Sequence, residues 1–237
     1  MRLLFVGTSH GIPEQDRFCT STFLQTHGRL YIIDAGAPIS PLIKKYGFEH
    51  RDVKAIFVTH LHGDHFEGLP EFCDQIGWFY TNSNPKFLLP DDRGVYLLST
   101  WVNTMRPDTR ALDFNTYSPG VIYEDECIRV SAIPTKHIQN AYSFLVEAEG
   151  KKLFFTGDMS NDFPEYSELL GSERYDLVVC EGAHSRYDTC ADSIAATNTS
   201  KIVVNHIAPR MLESIRQFGE TSPFEFIVSY DGMELEI

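Results

Sequence analysis

The sequence predicts an α/β protein in which sheets pack together beneath a cover of helices. Three observations carry that expectation. Short apolar and β-branched runs bounded by turn residues recur along the chain. These runs are grouped early and then alternate with helical segments. A length of 237 residues with 43% hydrophobic content supplies one core of ordinary size. No stretch is rich enough in Pro, Gly or Ser to act as a linker and no solenoid-type repeat is present, so residues 1–237 are expected to form a single continuous domain.

The strands follow from composition. Leu3 to Val6, Thr22 to Gln25, Leu30 to Ile33 and Ala55 to Thr59 are rich in Leu, Ile, Val, Phe and Thr, and too short for a helix of ordinary length. The same signature returns at Ile128 to Ile133, Tyr142 to Val146, Leu153 to Thr156, Leu177 to Cys180, Ile202 to Asn205 and Phe226 to Ser229. Helical character marks Pro41 to Tyr46, Gly68 to Ile76, Val95 to Met105, Pro164 to Leu170, Ala191 to Asn198 and Pro209 to Phe218. Several of these open with Pro in the first turn, where its missing N–H is not needed. Residues 80–120 hold the turn strings Asn82-Ser83-Asn84-Pro85, Pro90-Asp91-Asp92 and Arg106-Pro107-Asp108. They are expected to be loops around one helix, forming a rim of the functional site.

Charge and cysteine usage narrow the function classes. Lys and Arg number 20 against 33 Asp and Glu, a net charge of −13, which opposes a surface that holds long nucleic acid through its phosphates. Five cysteines, at 19, 73, 127, 180 and 190, form no CxxC pair and suit reduced thiols better than a disulfide framework. The run Leu3 to Val6 is too short for a signal peptide, and no apolar run nears the ~20 residues that cross a bilayer. A soluble, cytoplasmic protein with no membrane partner is the expectation.

The chemistry concentrates in Thr59-His60-Leu61-His62-Gly63-Asp64-His65, directly after the apolar run Ala55 to Val58. Side chains alternate on an extended chain, so His60 and His62 point the same way, and Gly63 is expected to turn the backbone and bring Asp64 and His65 round to them. Chance produces an HxHxDH string in roughly one chain of this composition in a thousand. Imidazole and carboxylate donors without thiolate favour zinc, manganese or iron over a structural zinc of the cysteine type. Further donor-type residues follow apolar strands: His137 after Ile128 to Ile133, Asp158 after Leu153 to Phe155, and His206 after Ile202 to Val204. Strand carboxyl ends are where open α/β layers commonly build their sites.

In identity and order this set, His60-x-His62-x-Asp64-His65 followed by His137, Asp158 and His206, resembles the metallo-β-lactamase superfamily. Asp34-Ala35-Gly36 is similar to that superfamily's early Asp-x-Gly element, and the resemblance covers essentially the whole chain. It implies an αββα sandwich of the metallo-β-lactamase type, a first metal held by His60, His62 and His137, a second held by Asp64, His65 and His206, Asp158 bridging both, and Asp34 orienting a ligand. Gly7-Thr8-Ser9-His10-Gly11-Ile12-Pro13 and His206-Ile207-Ala208-Pro209-Arg210 are similar to the ribonuclease Z branch and its phosphodiesterase relatives. Two departures separate the chain from members of that branch that process transfer RNA. His137 and Asp158 are 21 positions apart, filled by the hairpin Tyr142 to Phe155, which leaves no room there for the branch's long flexible arm. The branch's His-Ser-Thr element has only a partial match, in Cys180-Glu181-Gly182-Ala183-His184-Ser185.

The expected activity is that of a binuclear metal-dependent hydrolase cleaving a small phosphodiester by metal-activated hydroxide, with two divalent ions, zinc before manganese or iron. Asp64 would hold the second ion and orient the hydroxide. His184, beside Ser185 and Arg186, would protonate the leaving group. His10 and Arg210 would contact a small anionic ester substrate, Arg210 through its planar fork. Two ions bring about +4 of charge into an acidic protein, which suits a small anion and still counts against long nucleic acid. A lactonase, thioesterase or β-lactamase-like hydrolase would use the same ligands, and a non-catalytic metal or ligand sensor is the alternative of another class. His62 stands where oxygen-reducing di-iron members typically have Glu, which disfavours that chemistry. A homodimer is an allowed assembly.

Overall fold

The computed structural model describes residues 1–159, 170, 173–184, 198–199, 201–222 and 224–237. The segments read as helices at 164–170 and 191–198 lie outside the described residues except for Leu170 and Asn198, as do Ser185, Arg186 and Cys190.

Three early runs form an antiparallel meander, β1 (Arg2–Gly7), β2 (Ser21–Thr26) and β3 (Arg29–Ile33). The β2–β3 turn is His27-Gly28, both residues at positive φ, the tight turn whose twist matches that of paired strands. Three strands then add in parallel, β4 (Val53–Phe57), β5 (Lys86–Leu89) and β6 (Asp113–Thr116). Each is reached through helix, in turn α1 (Ile39–Lys45), the short α2 (Gly63–Phe66) with α3 (Leu69–Trp78), and α4 (Asp92–Met105). The second sheet repeats the plan. Strands β7 (Gly120–Glu124), β8 (Ile128–Pro134), β9 (Tyr142–Ala148) and β10 (Lys151–Phe155) are antiparallel, with Glu149-Gly150 at positive φ in the β9–β10 turn. Parallel strands β11 (Leu177–Gly182), β12 (Lys201–Ile207) and β13 (Glu225–Val228) follow, with α5 (Leu212–Thr221) between the last two. Finally β14 (Met233–Glu236) returns to the free side of β1. The strand orders are β14-β1-β2-β3-β4-β5-β6 and β7-β8-β9-β10-β11-β12-β13, so both sheets run from four antiparallel strands to three parallel ones.

Alternation along the strands sorts side chains into layers. Leu3, Phe5, Tyr31 and Phe57 of the first sheet meet Phe144, Leu153, Phe155 and Val179 of the second in the core between sheets. Their neighbours Leu4, Val6, Ile32 and Ile56 face outward and are covered by Ile43, Phe72 and Leu98 of α1, α3 and α4. On the other outer face, Phe154, Val178 and Val204 pack on Ile215 of α5. The sandwich of helix, sheet, sheet and helix matches the expected αββα layering. Among the described residues no helix is long and apolar enough to cross a membrane.

All ten predicted strands are present within about two residues of the expected ends. Residues 80–120 are corrected: they hold β5 and β6 on either side of α4, and so complete the edge of the first sheet instead of forming loops alone. Asp91 caps α4, its side chain accepting from the Arg93 N–H at 2.8 Å, a start signal read above only as a turn.

Candidate metal centre

Five strand ends converge at one side of the sandwich. The chain bends at Thr59 beyond β4, and His60 and His62 do share a direction, with His60 Nε2 2.9 Å from His62 Nδ1. The turn that follows does not depend on Gly63: it is the first turn of α2, and a Cβ at Gly63 would meet nothing nearer than 3.9 Å. Gly36 is the glycine this segment requires. A Cβ there would lie 1.7 Å from the Asp64 carbonyl oxygen, while Ala35 N–H donates to the His65 carbonyl at 2.8 Å. From the second sheet, Asp158 leaves β10 after Gly157, which has φ +58° and no room for a Cβ against the Tyr142 carbonyl. His206 lies inside β12, not beyond it. There Glu181 pairs with Asn205 and Gly182 with Ile207, so His206 is the extra residue of a bulge, at φ +52°, and its ring is re-aimed into the site.

Two donor groups result. His60 Nε2 and His62 Nδ1 are 2.9 Å apart, His62 Nδ1 and His137 Nε2 3.2 Å, and Asp158 Oδ2 lies 3.7 and 3.6 Å from His60 and His137. In the second group His65 Nε2 is 3.6 Å from Asp64 Oδ2 and 3.4 Å from Asp158 Oδ1; His206 Nε2 is 3.7 Å from Asp64 Oδ2 and 3.3 Å from Asp158 Oδ2. Donors around a tetrahedral zinc at 2.0–2.1 Å are about 3.3 Å apart, so both groups have the dimensions of an ion site. Asp158 is a member of the first group and lies within 3.4 Å of His65 and His206 of the second. It is 2% exposed, and among the described residues neither oxygen has a hydrogen-bond partner, nor does the buried His65 Nε2. Uncommitted buried donors facing one point are what a cation would satisfy.

The orientation of His65 is fixed from behind. Asp34, at φ +56°, accepts from the Thr59 N–H at 2.7 Å and sits 2.8 Å from His65 Nδ1, which turns Nε2 toward Asp158. Gly11 N–H donates to Asp64 Oδ2 at 2.7 Å. His184 lies at the same centre, with Nδ1 3.7 Å from Asp158 Oδ2 and its ring 4.8 Å from that of His137, and it also groups with Asp158 and His206 as a donor set. The His10 ring is 6.4 Å from His206. Arg210 is exposed and donates to the Ala183 carbonyl at 3.1 Å, beside His184. Sequence reading passed over Glu181. Its buried carboxylate accepts from the Ala183 and His184 N–H groups at 2.6 and 2.9 Å and lies 3.4 Å from His184 Nδ1, so it folds the loop that presents this imidazole. A lone Glu at a strand end was the available signal, and it has no pattern of its own.

Electrostatics separate the imidazoles. Burial, reinforced by His65, pushes the His60 pKa well down, and burial with His184 and His62 lowers that of His137, so both are held neutral, the form that ligates metal. Burial opposes charge on His65, yet Asp158 and Asp34 outweigh it and raise its pKa. Burial likewise disfavours the Asp158 carboxylate, but His206 and His65 hold its pKa well below the usual range. His184 is raised, chiefly by its contact with Glu181, whereas burial, His206 and Arg210 lower His10.

The profile of the family described as anti-Pycsar protein Apyc1 matches residues 1–229. A ribonuclease Z from Methanothermobacter thermautotrophicus is 30% identical over 229 residues, covering 86% of this chain and 73% of that relative. Three further ribonuclease Z relatives are matched over 48% to 58% of their own length. The crystal structure of the short form of human tRNase Z superposes over 100% of this chain and 99% of its own, with a TM-score of 0.79 at 20% identity. The metallo-β-lactamase fold protein YhfI from Bacillus subtilis superposes over 99% of each chain, with a TM-score of 0.77 at 14% identity. The architecture is therefore the metallo-β-lactamase fold, and the sequence relatives carry the name ribonuclease Z.

Proposed function

The chain belongs to the anti-Pycsar protein Apyc1 family, within the ribonuclease Z-like branch, and from that premise we propose that it is a binuclear metal-dependent hydrolase of a small phosphodiester. One observation carries the reading: Asp158 is buried, its oxygens have no hydrogen-bond partner among the described residues, and it shares one donor group with His60, His62 and His137 and another with His184 and His206, with His65 Nε2 3.4 Å away. His60, His62 and His137 would hold one divalent ion, Asp64, His65 and His206 the other, and Asp158 both. When bound, the ions activate water at neutral pH and draw charge from the substrate oxygen.

The chain's own residues do the rest. Asp64, fixed by Gly11 N–H, keeps one carboxylate face toward the attacking water. His184, backed by Glu181, holds a proton for the departing oxygen. His10 and Arg210 flank His206 and Ala183 respectively, where they can meet the non-bridging oxygens of an anion. RNA is the competing substrate, because the curated relatives carry the name ribonuclease Z. Favouring a small ester are the net charge of −13 and the β9–β10 hairpin that fills the interval between His137 and Asp158.

Purified protein is expected to contain about two metal ions per chain and to hydrolyse bis(p-nitrophenyl) phosphate, to lose that activity to a chelator and to regain it with zinc or manganese. Metal-loaded protein that is inert toward phosphodiesters but active on lactones or thioesters would refute the substrate. Faster cleavage of a transfer RNA precursor than of the small diester would refute the size limit.

A further inference from the structure

The segment between β1 and β2 carries the N–H that holds Asp64, and it is built as one stiff loop. Ser9 N–H donates to the Phe18 carbonyl at 2.8 Å and closes it, while Glu14 N–H donates to the Arg17 carbonyl at 2.8 Å near its tip. The Ser9 hydroxyl lies 2.9 Å from the Ile12 carbonyl and 2.7 Å from the Glu14 carboxylate. Arg17 pairs with Glu14 and donates to the Ile207 carbonyl at 3.1 Å. Residues 11–16 are exposed, so a loop tied internally in this way is aimed by its two stems, Thr8 and Phe18.

Both stems are held by one carboxylate from the other end of the chain. Asp231 lies in the turn 229–232, where the chain passes from β13 of the second sheet to β14 of the first. Its Oδ1 accepts from the Thr8 hydroxyl at 2.7 Å and its Oδ2 from the Phe18 N–H at 2.7 Å. Bonds to an ionised acceptor are roughly twice as strong as neutral ones. Thr8 is fully buried, so loss of the carboxylate would leave its hydroxyl without an acceptor in the interior. Thr8 also steadies the bulge at His206, its carbonyl accepting from the Ile207 N–H at 2.9 Å. The same turn braces that bulge from its other side. Ser229 donates through its hydroxyl to Asn205 Oδ1 at 2.8 Å and through its N–H to the Val204 carbonyl at 3.0 Å, and Asn205 Nδ2 donates to the Thr20 hydroxyl at 3.2 Å. Asp64 and His206 are both donors of the second group. The loop of His137, in the first group, is braced elsewhere: Asn140 Nδ2 donates to Asp91, at the head of α4, at 3.1 Å.

Given the two-ion reading above, on which this rests, we propose that Asp231 is a positioning residue of the metal centre. By clasping Thr8 and Phe18 it aims Gly11 N–H at Asp64, and so sets the second donor group while the first keeps its own support. A clasp of this kind has a signature that a general loss of stability lacks: one ion is weakened and the other is not.

Zinc competition titration of the chelator-stripped full chain tests the proposal, together with amide exchange on the metal-free protein. Asp231→Ala should weaken one of the two ions about 10-fold and leave the other unchanged, and the Gly11 N–H should exchange at least about 10-fold faster. Asp231→Asn should restore both, since its oxygen can accept from the Phe18 N–H and its amide can donate to the Thr8 hydroxyl. If Asp231→Ala fails to fold, Thr8→Val keeps the buried shape, removes one of the two bonds and supplies the same readouts. Fewer than two ions in wild-type protein would refute the two-ion reading itself, a failure seen without any variant. Two ions in wild type with both unchanged or both equally weakened in the alanine variant, unaltered exchange at Gly11, or no rescue by asparagine would each overturn the role of Asp231.

Discussion

The two ends of the sandwich treat a carboxylate in opposite ways. At the site, Asp158 is buried with no hydrogen-bond partner on either oxygen among the described residues, ringed by imidazoles at 3.3 to 3.7 Å. At the far end, Asp125 in the β7–β8 turn accepts from the Tyr31 and Tyr123 hydroxyls at 2.7 and 2.9 Å, from the Cys127 and Ile128 N–H groups at 2.8 and 3.0 Å, and from Arg29 at 3.2 Å. Arg29 and Tyr31 belong to the first sheet and Asp125 to the second. A carboxylate supplied with every donor it can use is a tie between sheets; one deprived of donors and surrounded by imidazoles is a group that a cation would satisfy.

Replacing the carboxylate at the site should have the largest effect. Asp158→Ala is expected to lower phosphodiester hydrolysis by about 10³-fold or more, a loss of several kcal/mol of transition-state stabilisation, and to reduce bound metal in elemental analysis while the far-ultraviolet spectrum is kept. Full metal content in that variant would break the comparison from the site end. Asp125→Ala tests the other end: a stability loss of about 3 kcal/mol in urea unfolding, from donors left buried and unpaired, with metal content unaltered. A smaller effect is expected of Asp34→Asn, which keeps the shape but alters the contact to His65: metal affinity should fall about 10- to 100-fold in a competition titration.

The smallest effect is in pH dependence. Burial alone would raise the Asp125 pKa, but the Tyr31 hydroxyl and the Cys127 N–H outweigh it and hold it below the ordinary 3.8. Its contribution to stability is therefore complete above the unfolded value and is lost as pH falls through the lower folded one. The wild-type urea midpoint should drop below about pH 4 more steeply than that of Asp125→Asn.

Much of the centre was legible because its donors are either adjacent, as in His60 to His65, or sit where an apolar run stops, as with Asp158 and His206. The support around them was not. Gly11 lies 53 positions before the Asp64 it holds, and Asn140 is 49 positions after Asp91, so no local pattern joins them. Gly63 was given a turning role that the start of α2 performs, because a helix of four residues is too short to show a period. Two of the four missed strands, β6 and β14, share a cause. Asp113-Phe114-Asn115-Thr116 and Met233-Glu234-Leu235-Glu236 are four-residue strands at sheet edges, mixed in polarity, and only pairing with β5 and β1 defines them.

Each donor group draws on both sheets: His60 and His62 lie in the loop after β4 and Asp64 and His65 in α2 beyond it, while His137 and Asp158 follow β8 and β10 of the second sheet and His206 lies in its β12. With ions in place, that end of the sandwich could open only by rupturing coordination on two layers at once. Slow amide exchange at the carboxyl ends of β4 and β10 should then become a single event in loaded protein, and should split into two independent openings once the ions are stripped.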